Sequence, residues 1–392
     1  MKVFVYSGNI PSTTFVERLE HGLAKEGVSV YLHGYLSVKP APLSNIKVIG
    51  YRGKISKVRL SLSYFFRFLT RLTDLKKLLR LVMPLAGFQN KLNTWVKYAP
   101  VVWHQPDVFH LQWVSNIKFW LPMQDFGIKV VCSLRGRLVN ALPLVDKELA
   151  QTYQECFPKV DGFHGVSKAI CHRAAHYGAD MKKCSVVYSG MPLANFQWRG
   201  EEHTGQIKKE PGFKIISVGR DNWQKGYMHA LDAMALLKKS GFDFHYTIVG
   251  GSGSEELTFQ LAQLGLEKEV SLISRLPFDQ VLQEMAEADV VLLSSVAEGI
   301  ANVVLEAMAI GTIVVTTDCG GMKEVIQNRV NGFILPVSRP DLMAKTLQEV
   351  KQLSSEERSD ILKKAFNTVS HQHNEDRMVS DMIALYQKVL AA

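Results

Sequence analysis

From residue 213 onward the chain alternates two kinds of segment with little between them. Short apolar, β-branched runs stand at 213–218, 245–249, 270–273, 289–293 and 312–316. Between them lie longer stretches whose apolar positions recur at helical spacing, at 227–239, 255–264, 280–288 and from 302 onward. A strand followed by a helix-length connection returns parallel to itself, whereas antiparallel neighbours need only a tight turn. The pattern predicts a parallel, doubly wound α/β sheet, with Asp279 as the N-cap of the helix at 280–288. The first half repeats the theme less cleanly, with strands expected at 3–6, 28–32, 108–111, 129–133, 162–166 and 185–188, a loop at 7–11 and a helix over 13–26. Two such series in 392 residues predict two domains. The boundaries read as 1–197 and 212–375, joined by a charged, glycine-containing linker at 198–211 and followed by a last helix within 376–392.

A parallel open sheet binds its ligand at the carboxyl edge of its strands. Glu298 and Glu306 lie at such an edge, where strand 289–293 gives way to a small-residue loop and then to a helix. A helix N-terminus favours phosphate, and carboxylates grip hydroxyl groups through charge-assisted hydrogen bonds. Phosphate together with many hydroxyls describes a nucleotide sugar.

The run Glu298-Gly-Ile-Ala-Asn-Val-Val-Leu-Glu306-Ala-Met-Ala leads through a β-branched strand to Cys319-Gly-Gly321, then to Asn331-Gly-Phe-Ile-Leu-Pro336. Glutamates eight apart are weak alone; in this ordered context they resemble the retaining glycosyltransferases of family 4, of the bacterial surface-polysaccharide type. The resemblance implies the GT-B fold, two Rossmann-like domains facing across a cleft, with the last helix crossing back to the first. It implies a metal-independent hexosyltransferase with a nucleotide-diphosphate sugar as donor, a UDP-sugar foremost, and no cofactor. By the same resemblance Glu298 lies beside the transferred sugar, with Arg220 and Lys225 on the diphosphate. Gly299, Ile300, Ala301, Asn302 and Val303 reach sugar or phosphate, and Glu306 takes the ribose hydroxyls. Gly219 ends the strand before Arg220, Arg275 and Leu276 lie where the base is contacted, and Gly8 would face the donor. Two cations suit a pyrophosphate, and an arginine fork binds its oxygens in pairs. No Asp-x-Asp, the usual holder of a divalent metal on such a donor, occurs in the chain.

Other features bear on alternatives. Gly250-Gly-Ser-Gly253 follows a strand, but Glu256 stands where a dinucleotide fingerprint needs its last glycine, so the NAD reading fails. Where the family carries a histidine at a strand tip, this chain reads Cys132-Ser-Leu-Arg135-Gly-Arg137. An arginine cannot act as a general base, yet it could hold a phosphate or an acidic sugar. His110 and His164 stand near it in sequence-predicted strands, where a histidine is more often packed than reactive. A degenerate protein of this fold serving as a membrane-associated scaffold, or a nucleotide-sugar epimerase, stays open beside the transferase. A pyridoxal-dependent phosphorylase would need a much longer chain.

The net charge of +9 is concentrated. Residues 51–100 hold eleven Lys or Arg against the single acid Asp74. Apolar residues interleave with Arg59, Arg67, Arg71, Lys76, Lys77 and Arg80, which reads either as a basic amphipathic face over 54–83 for anionic lipid or as a solvated domain face. A lipid-linked or membrane-borne saccharide acceptor follows from the first, with the protein cytoplasmic and peripheral on the inner membrane face. Nothing resembling a nucleic-acid motif accompanies the charge. No apolar run is long enough to span a bilayer, and a strand predicted from residue 3 leaves no room for a signal peptide. Five scattered cysteines without a C-x-x-C pair suit a reducing compartment and argue against structural zinc.

Overall fold

The computed structural model describes residues 1–38, 44–196, 198 and 212–392, so the expected linker, apart from Trp198, lies outside the described residues. The chain forms two compact units. One comprises Met1–Val166, Cys171–Gly190 and Glu375–Ala392; the other comprises Ser167–Ile170 and Met191–Asn374.

The first unit is built on seven parallel strands: β1 (Lys2–Ile10), β2 (Ser29–Leu36), β3 (Ile46–Tyr51), β4 (Val108–Leu111), β5 (Lys129–Leu134), β6 (Gly162–Gly165) and β7 (Cys184–Val186). Their order is β3-β2-β1-β4-β5-β6-β7, so the winding direction reverses between β1 and β4. Strands β1, β4 and β5 contribute Val3, Val5, Val108 and Val131 to a core shared with Leu19 and Leu23 of helix α1 (Thr14–Lys25). The C-terminal helix Glu375–Ala391 buries Met382, Leu385, Tyr386 and Val389 in that same core. Gly22 lets the two helices touch: a Cβ there would lie 2.2 Å from the Val379 side chain.

Three elements differ from the sequence reading. The stretch 7–11 is not a loop from its start, because β1 runs on to Ile10 past a register shift between Val5 and Gly8. Strand β3 pairs with β2 although Gly50 and Lys47 weaken its apolar pattern; neighbour pairing, not propensity, makes it a strand. The basic segment is not one amphipathic element. It folds as α2 (Gly53–Phe68) and α3 (Leu72–Val82), followed by α4 (Phe88–His104), and both α2 and α3 pack on α4.

The second unit carries six parallel strands, β8 (Phe213–Val218), β9 (Phe244–Val249), β10 (Val270–Ile273), β11 (Val290–Leu293), β12 (Ile313–Thr317) and β13 (Phe333–Leu335), in the order β10-β9-β8-β11-β12-β13. Helices cover both faces, one apolar cluster centring on Leu231, Met234 and Leu347, the other on Met285, Leu305 and Met308. A sheet buried on both sides explains why these strands read as continuous apolar runs rather than as alternation. Asp279 is not an N-cap: the helix Phe278–Glu287 begins earlier, with Pro277 at the cap position, and Asp279 places its carboxylate in the first turn. Proline suits a helix start because its missing N–H would find no partner there.

Candidate active site

The second sheet reverses winding between β8 and β11, and the strongest constellation of the unit gathers at the carboxyl ends of these two strands. After β8, the chain passes Gly219 and the exposed Arg220, makes a short turn over Trp223–Lys225, and enters the helix Tyr227–Lys239. Gly226 joins turn to helix at φ 61°, and a Cβ there would stand 2.3 Å from the Ser294 carbonyl oxygen. Only glycine permits both the conformation and the approach. The contact is reinforced by Ser294 Oγ donating to the Lys225 carbonyl at 2.8 Å and Val296 N donating to the Gln224 carbonyl at 2.8 Å.

These ties place Lys225 against the loop that follows β11. Its Nζ donates to Glu298 Oε1 at 2.8 Å, and Ser295 Oγ donates to the same oxygen at 3.0 Å. Each of the two ionic side chains keeps only 19% of its surface exposed, which weakens water's screening of the pair. The loop itself is pinned from β12. Thr317 Oγ1 donates to the Ser295 carbonyl, and Gly321 N donates to the Gly299 carbonyl at 2.6 Å. Gly320, at φ 60°, passes so close that a Cβ would fall 1.9 Å from the Glu298 carbonyl oxygen. Burial pushes the Cys319 thiol beneath this loop up to about 12, which leaves it a packing group and no nucleophile.

The helix Asn302–Ile310 starts immediately beyond, and Ala301 at its N-cap supplies no capping side chain. Its first amides therefore remain available to an anion. Gly299 and Ala301 are buried, Ile300, Asn302 and Val303 half-buried, and Glu306 sits half-buried one turn into the helix. On the other side of β8, Gly250 comes within 2.5 Å of the Gly219 carbonyl oxygen as measured to a built Cβ, drawing the end of β9 against the end of β8. Leu276 packs onto the apolar cluster after β10, and Arg275 is exposed. The structure thus brings Gly219, Lys225, Glu298 and the start of the 302–310 helix to one edge of one sheet. Ser295, Thr317, Gly226 and Gly320 complete the arrangement; sequence reasoning finds Gly320 within the Cys319-Gly-Gly321 turn and misses the other three. Only the doubled threonine at the end of β12 and the glycine after Lys225 carry any sign of them.

The first unit places its candidates differently. His110, on β4, is fully buried with both ring nitrogens engaged: Nδ1 with Tyr386 Oη at 2.7 Å and Nε2 with Ser133 Oγ at 2.9 Å. Ser133 Oγ also lies 2.9 Å from His164 Nδ1, and His164 Nε2 faces the Val187 carbonyl at 3.0 Å. A carbonyl can only accept, so His164 donates from Nε2 and accepts at Nδ1 from the serine hydroxyl. Ser133 then accepts from His110 Nε2, and His110 Nδ1 accepts from the tyrosine hydroxyl. Every link is satisfied with both histidines neutral. Burial pushes the His164 imidazole down to about 3 and holds His110 well below its usual range, with the Arg135 charge adding to both. Neither ring offers a nitrogen to a ligand, which removes His110 as an acceptor or phosphate contact.

Arg135 follows β5 and stacks its guanidinium 4.5 Å from the Phe15 ring centre and 6.0 Å from that of Trp113. Burial lowers its pKa to about 9, still charged at neutral pH. Gly8 lies within β1 at φ 90°, with open space where a Cβ would be.

The basic helices redistribute the charges read from sequence. Arg71 stacks 4.5 Å from the Trp103 ring centre and donates from Nη1 to the Trp103 carbonyl at 3.0 Å. Arg67 stacks on Tyr64 and Trp103, and Lys77 Nζ donates to the Asp125 carbonyl at 3.2 Å. These three are engaged with the unit itself. Helix α2 instead buries Ser61, Tyr64 and Phe68 and leaves a second apolar stripe, Ile55, Val58, Leu62 and Phe66, exposed, continued by Leu69 just past its end; Ile55 keeps 87% of its surface and Phe66 63%. Among the described residues no helix is long and apolar enough to cross a membrane.

Comparison with known proteins adds the family context. Residues 199–368 match the model of the family Glycosyl transferases group 1. WcaL of Escherichia coli (strain K12), named as a putative colanic acid biosynthesis glycosyltransferase, is 30% identical over 244 residues, 60% of this chain and 58% of that protein. The amylovoran biosynthesis glycosyltransferase AmsK of Erwinia amylovora is 28% identical over 213 residues, 53% of this chain and 51% of that protein. The chain therefore spans little more than half the length of either relative. Among solved structures, Anabaena HepE in complex with UDP-glucose is similar over 100% of both chains at a TM-score of 0.70 and 16% identity. Sucrose-phosphate synthase from Thermosynechococcus elongatus is similar over 100% of this chain and 99% of that one, at 0.75 and 16%. At these identities the likeness speaks to fold, and the fold is GT-B: two Rossmann-like parallel sheets.

Proposed function

We propose that the chain, carrying its match to the Glycosyl transferases group 1 family, is a retaining glycosyltransferase that moves a sugar from a nucleotide-diphosphate sugar to a hydroxyl acceptor in polysaccharide biosynthesis. The observation that carries the reading is the shielded Lys225–Glu298 pair, held at the switch point of the second sheet beside an uncapped helix start. The names of WcaL and AmsK support the pathway class, and the UDP-glucose bound to HepE supports a UDP-sugar donor. Lys225 and Arg220 would offset the diphosphate, the amides from Gly299 to Val303 would take its oxygens, and Glu306 would accept from the ribose. Glu298, fixed by lysine and serine, would orient the sugar.

In the reaction, the bond from the sugar's anomeric carbon to the phosphate oxygen breaks and a bond to the acceptor oxygen forms on the same face. The acceptor's proton passes to the departing phosphate. Growing negative charge on that phosphate is met by Lys225, Arg220 and the helix start, so the reaction is proposed to need no metal and no cofactor. Thermal unfolding against UDP-, GDP-, ADP- and dTDP-sugars tests the donor, since a ligand bound only by the folded state stabilises it by RT ln(1 + [L]/Kd). One nucleotide should raise Tm well above the others, without magnesium; no response to any of the four would defeat the reading.

The exposed stripe of α2, in a segment with eleven basic residues and one acid, supports a peripheral position on an anionic, inner membrane surface and a lipid-linked acceptor. The stripe of α2 would make the contact, not Arg67, Arg71 or Lys77.

A further inference from the structure

The carboxyl edge of the first sheet holds an arginine that the donor chemistry does not use. Arg135 Nη2 donates to Gln112 Oε1 at 2.9 Å. Its Nε is sealed from solvent and has no hydrogen-bond partner, and the same is true of Gln112 Nε2. Among the described residues no carboxylate pairs with the guanidinium, whose lowered pKa has burial as its only cause. A buried cation without a counter-charge is costly, and removing its partner from a buried pair typically costs several kcal/mol. Such a site persists when something else supplies the acceptors.

The location agrees. Gln112 and Trp113 follow β4, one of the two strands at which the first sheet reverses its winding, and Arg135 follows the adjacent β5. Trp113 Nε1 donates to the Ser7 carbonyl at 3.0 Å, so the indole that stacks on the guanidinium is itself held to β1. A small recess of about 10 Å³, room for one oxygen-sized group, has Arg135, His164, Ser189 and Phe15 on its wall. With His164 neutral, Arg135 is the one formal charge lining it among the described residues. Arg135 as a residue is not fully enclosed, so a ligand in this space can reach it.

We propose that Arg135, held in place by the fully buried Gln112, forms a binding site in the first unit for an oxyanion, the carboxylate or phosphate of an acidic saccharide. The unmatched groups are all N–H donors, and an arginine flanked by ring faces keeps its planar fork oriented for paired oxygens. A neutral hydroxyl would satisfy a donor but leave the charge unpaired. The choice of saccharides as probes rests on the transferase reading; the anion site does not.

The test uses the full chain without nucleotide sugar, titrated calorimetrically with glucuronate, inorganic phosphate and glucose at constant ionic strength. Glucuronate, phosphate or both should bind at least about tenfold more tightly than glucose, since charge-assisted hydrogen bonds are about twice as strong as neutral ones. Binding of glucuronate alone assigns the carboxylate, and binding of phosphate alone assigns the phosphate. Arg135→Gln should abolish the preference. Gln112→Glu gives the arginine an internal carboxylate with little change of shape, so it should also abolish anion binding while raising Tm. UDP binding should survive in both variants, which separates this site from the donor site. If neither anion binds the wild-type chain, the buried donors are served by water and the proposal falls; anion binding unchanged in Gln112→Glu overturns it equally.

Discussion

The two sheets share a plan, parallel strands with the winding reversed between two central neighbours, but their carboxyl edges are furnished in opposite ways. In the second unit the edge carries a charged pair, Lys225 and Glu298, on loops cross-tied through Gly226 and Gly320. In the first unit the corresponding depth is filled by Tyr386, His110, Ser133 and His164, a neutral relay with every proton placed and every acceptor filled. Position at a strand tip is thus not enough to make a residue reactive. Glu298 lies on a loop beyond the strand and keeps contact with solvent, whereas His110 lies within β4 and the C-terminal helix closes over it.

Acid should break the symmetry most strongly. Burial holds His33 down to about 4 and His164 to about 3, with His110 well below its usual range; all three belong to the first unit. When the chain unfolds these rings take up protons below about pH 6.5, so the folded state loses stability as pH falls from 6.5 toward 4. Glu20 on α1 works against this: burial raises its carboxyl to about 8, so it favours the folded state at low pH and is lost as pH rises through 8. His104, lowered to about 4 by burial and by nearby lysine and arginine charges, adds a fourth, so the histidines outweigh the one glutamate and stability falls as pH drops from 6.5 to 4.5. Hydrogen exchange at pH 7 and pH 5 should show protection falling first in β2, β4 and β6. An equal fall in β8, β11 and β12 would erase the contrast.

The second unit should instead respond to single substitutions in activity. Lys225→Ala leaves the helix Tyr227–Lys239 intact but takes the cation from Glu298 and from the proposed diphosphate site. Turnover should drop by about 10²- to 10³-fold, the usual effect of losing one preorganised group that stabilises developing charge. A matching drop for Tyr386→Phe, measured on folded protein, would mean the buried relay belongs to the chemistry after all.

A smaller effect sharpens the comparison within the first unit. Leu62→Ser with Phe66→Ser should lower partition onto anionic vesicles about tenfold or more, by removing apolar area that would enter the interface. Arg67→Gln with Arg71→Gln should leave partition nearly unchanged and lower Tm, because those cations stack on Trp103. Flotation with anionic and neutral vesicles, alongside thermal unfolding, separates the two outcomes; the reverse result would return the contact to the arginines.

What can be read from the chain differs between the units for a physical reason. Strands covered on both faces and helices of regular period are local patterns, so the second sheet and the Glu298–Glu306 spacing are legible in the order of residues. The partner of Glu298 is not, since Lys225 reaches it only after Gly226 meets the Ser294 carbonyl across 68 residues of sequence. The partners of the basic segment are hidden for the same reason: Arg67 and Arg71 stay exposed yet stack on Trp103, an indole on α4 that no local period reveals.

The amino-acid sequence by itself determined the alternation of strand and helix, the parallel sheets that alternation requires, and the residue types able to hold a phosphorylated sugar. Tertiary structure alone decided which ionisable groups keep their charge. Helix Glu375–Ala391 closing over β4 makes His110 neutral, Arg135 meets a neutral amide and no carboxylate among the described residues, and the approach of two loops pairs Lys225 with Glu298. Desolvation and counter-charge depend on neighbours in space, and periodicity along the chain carries no record of them.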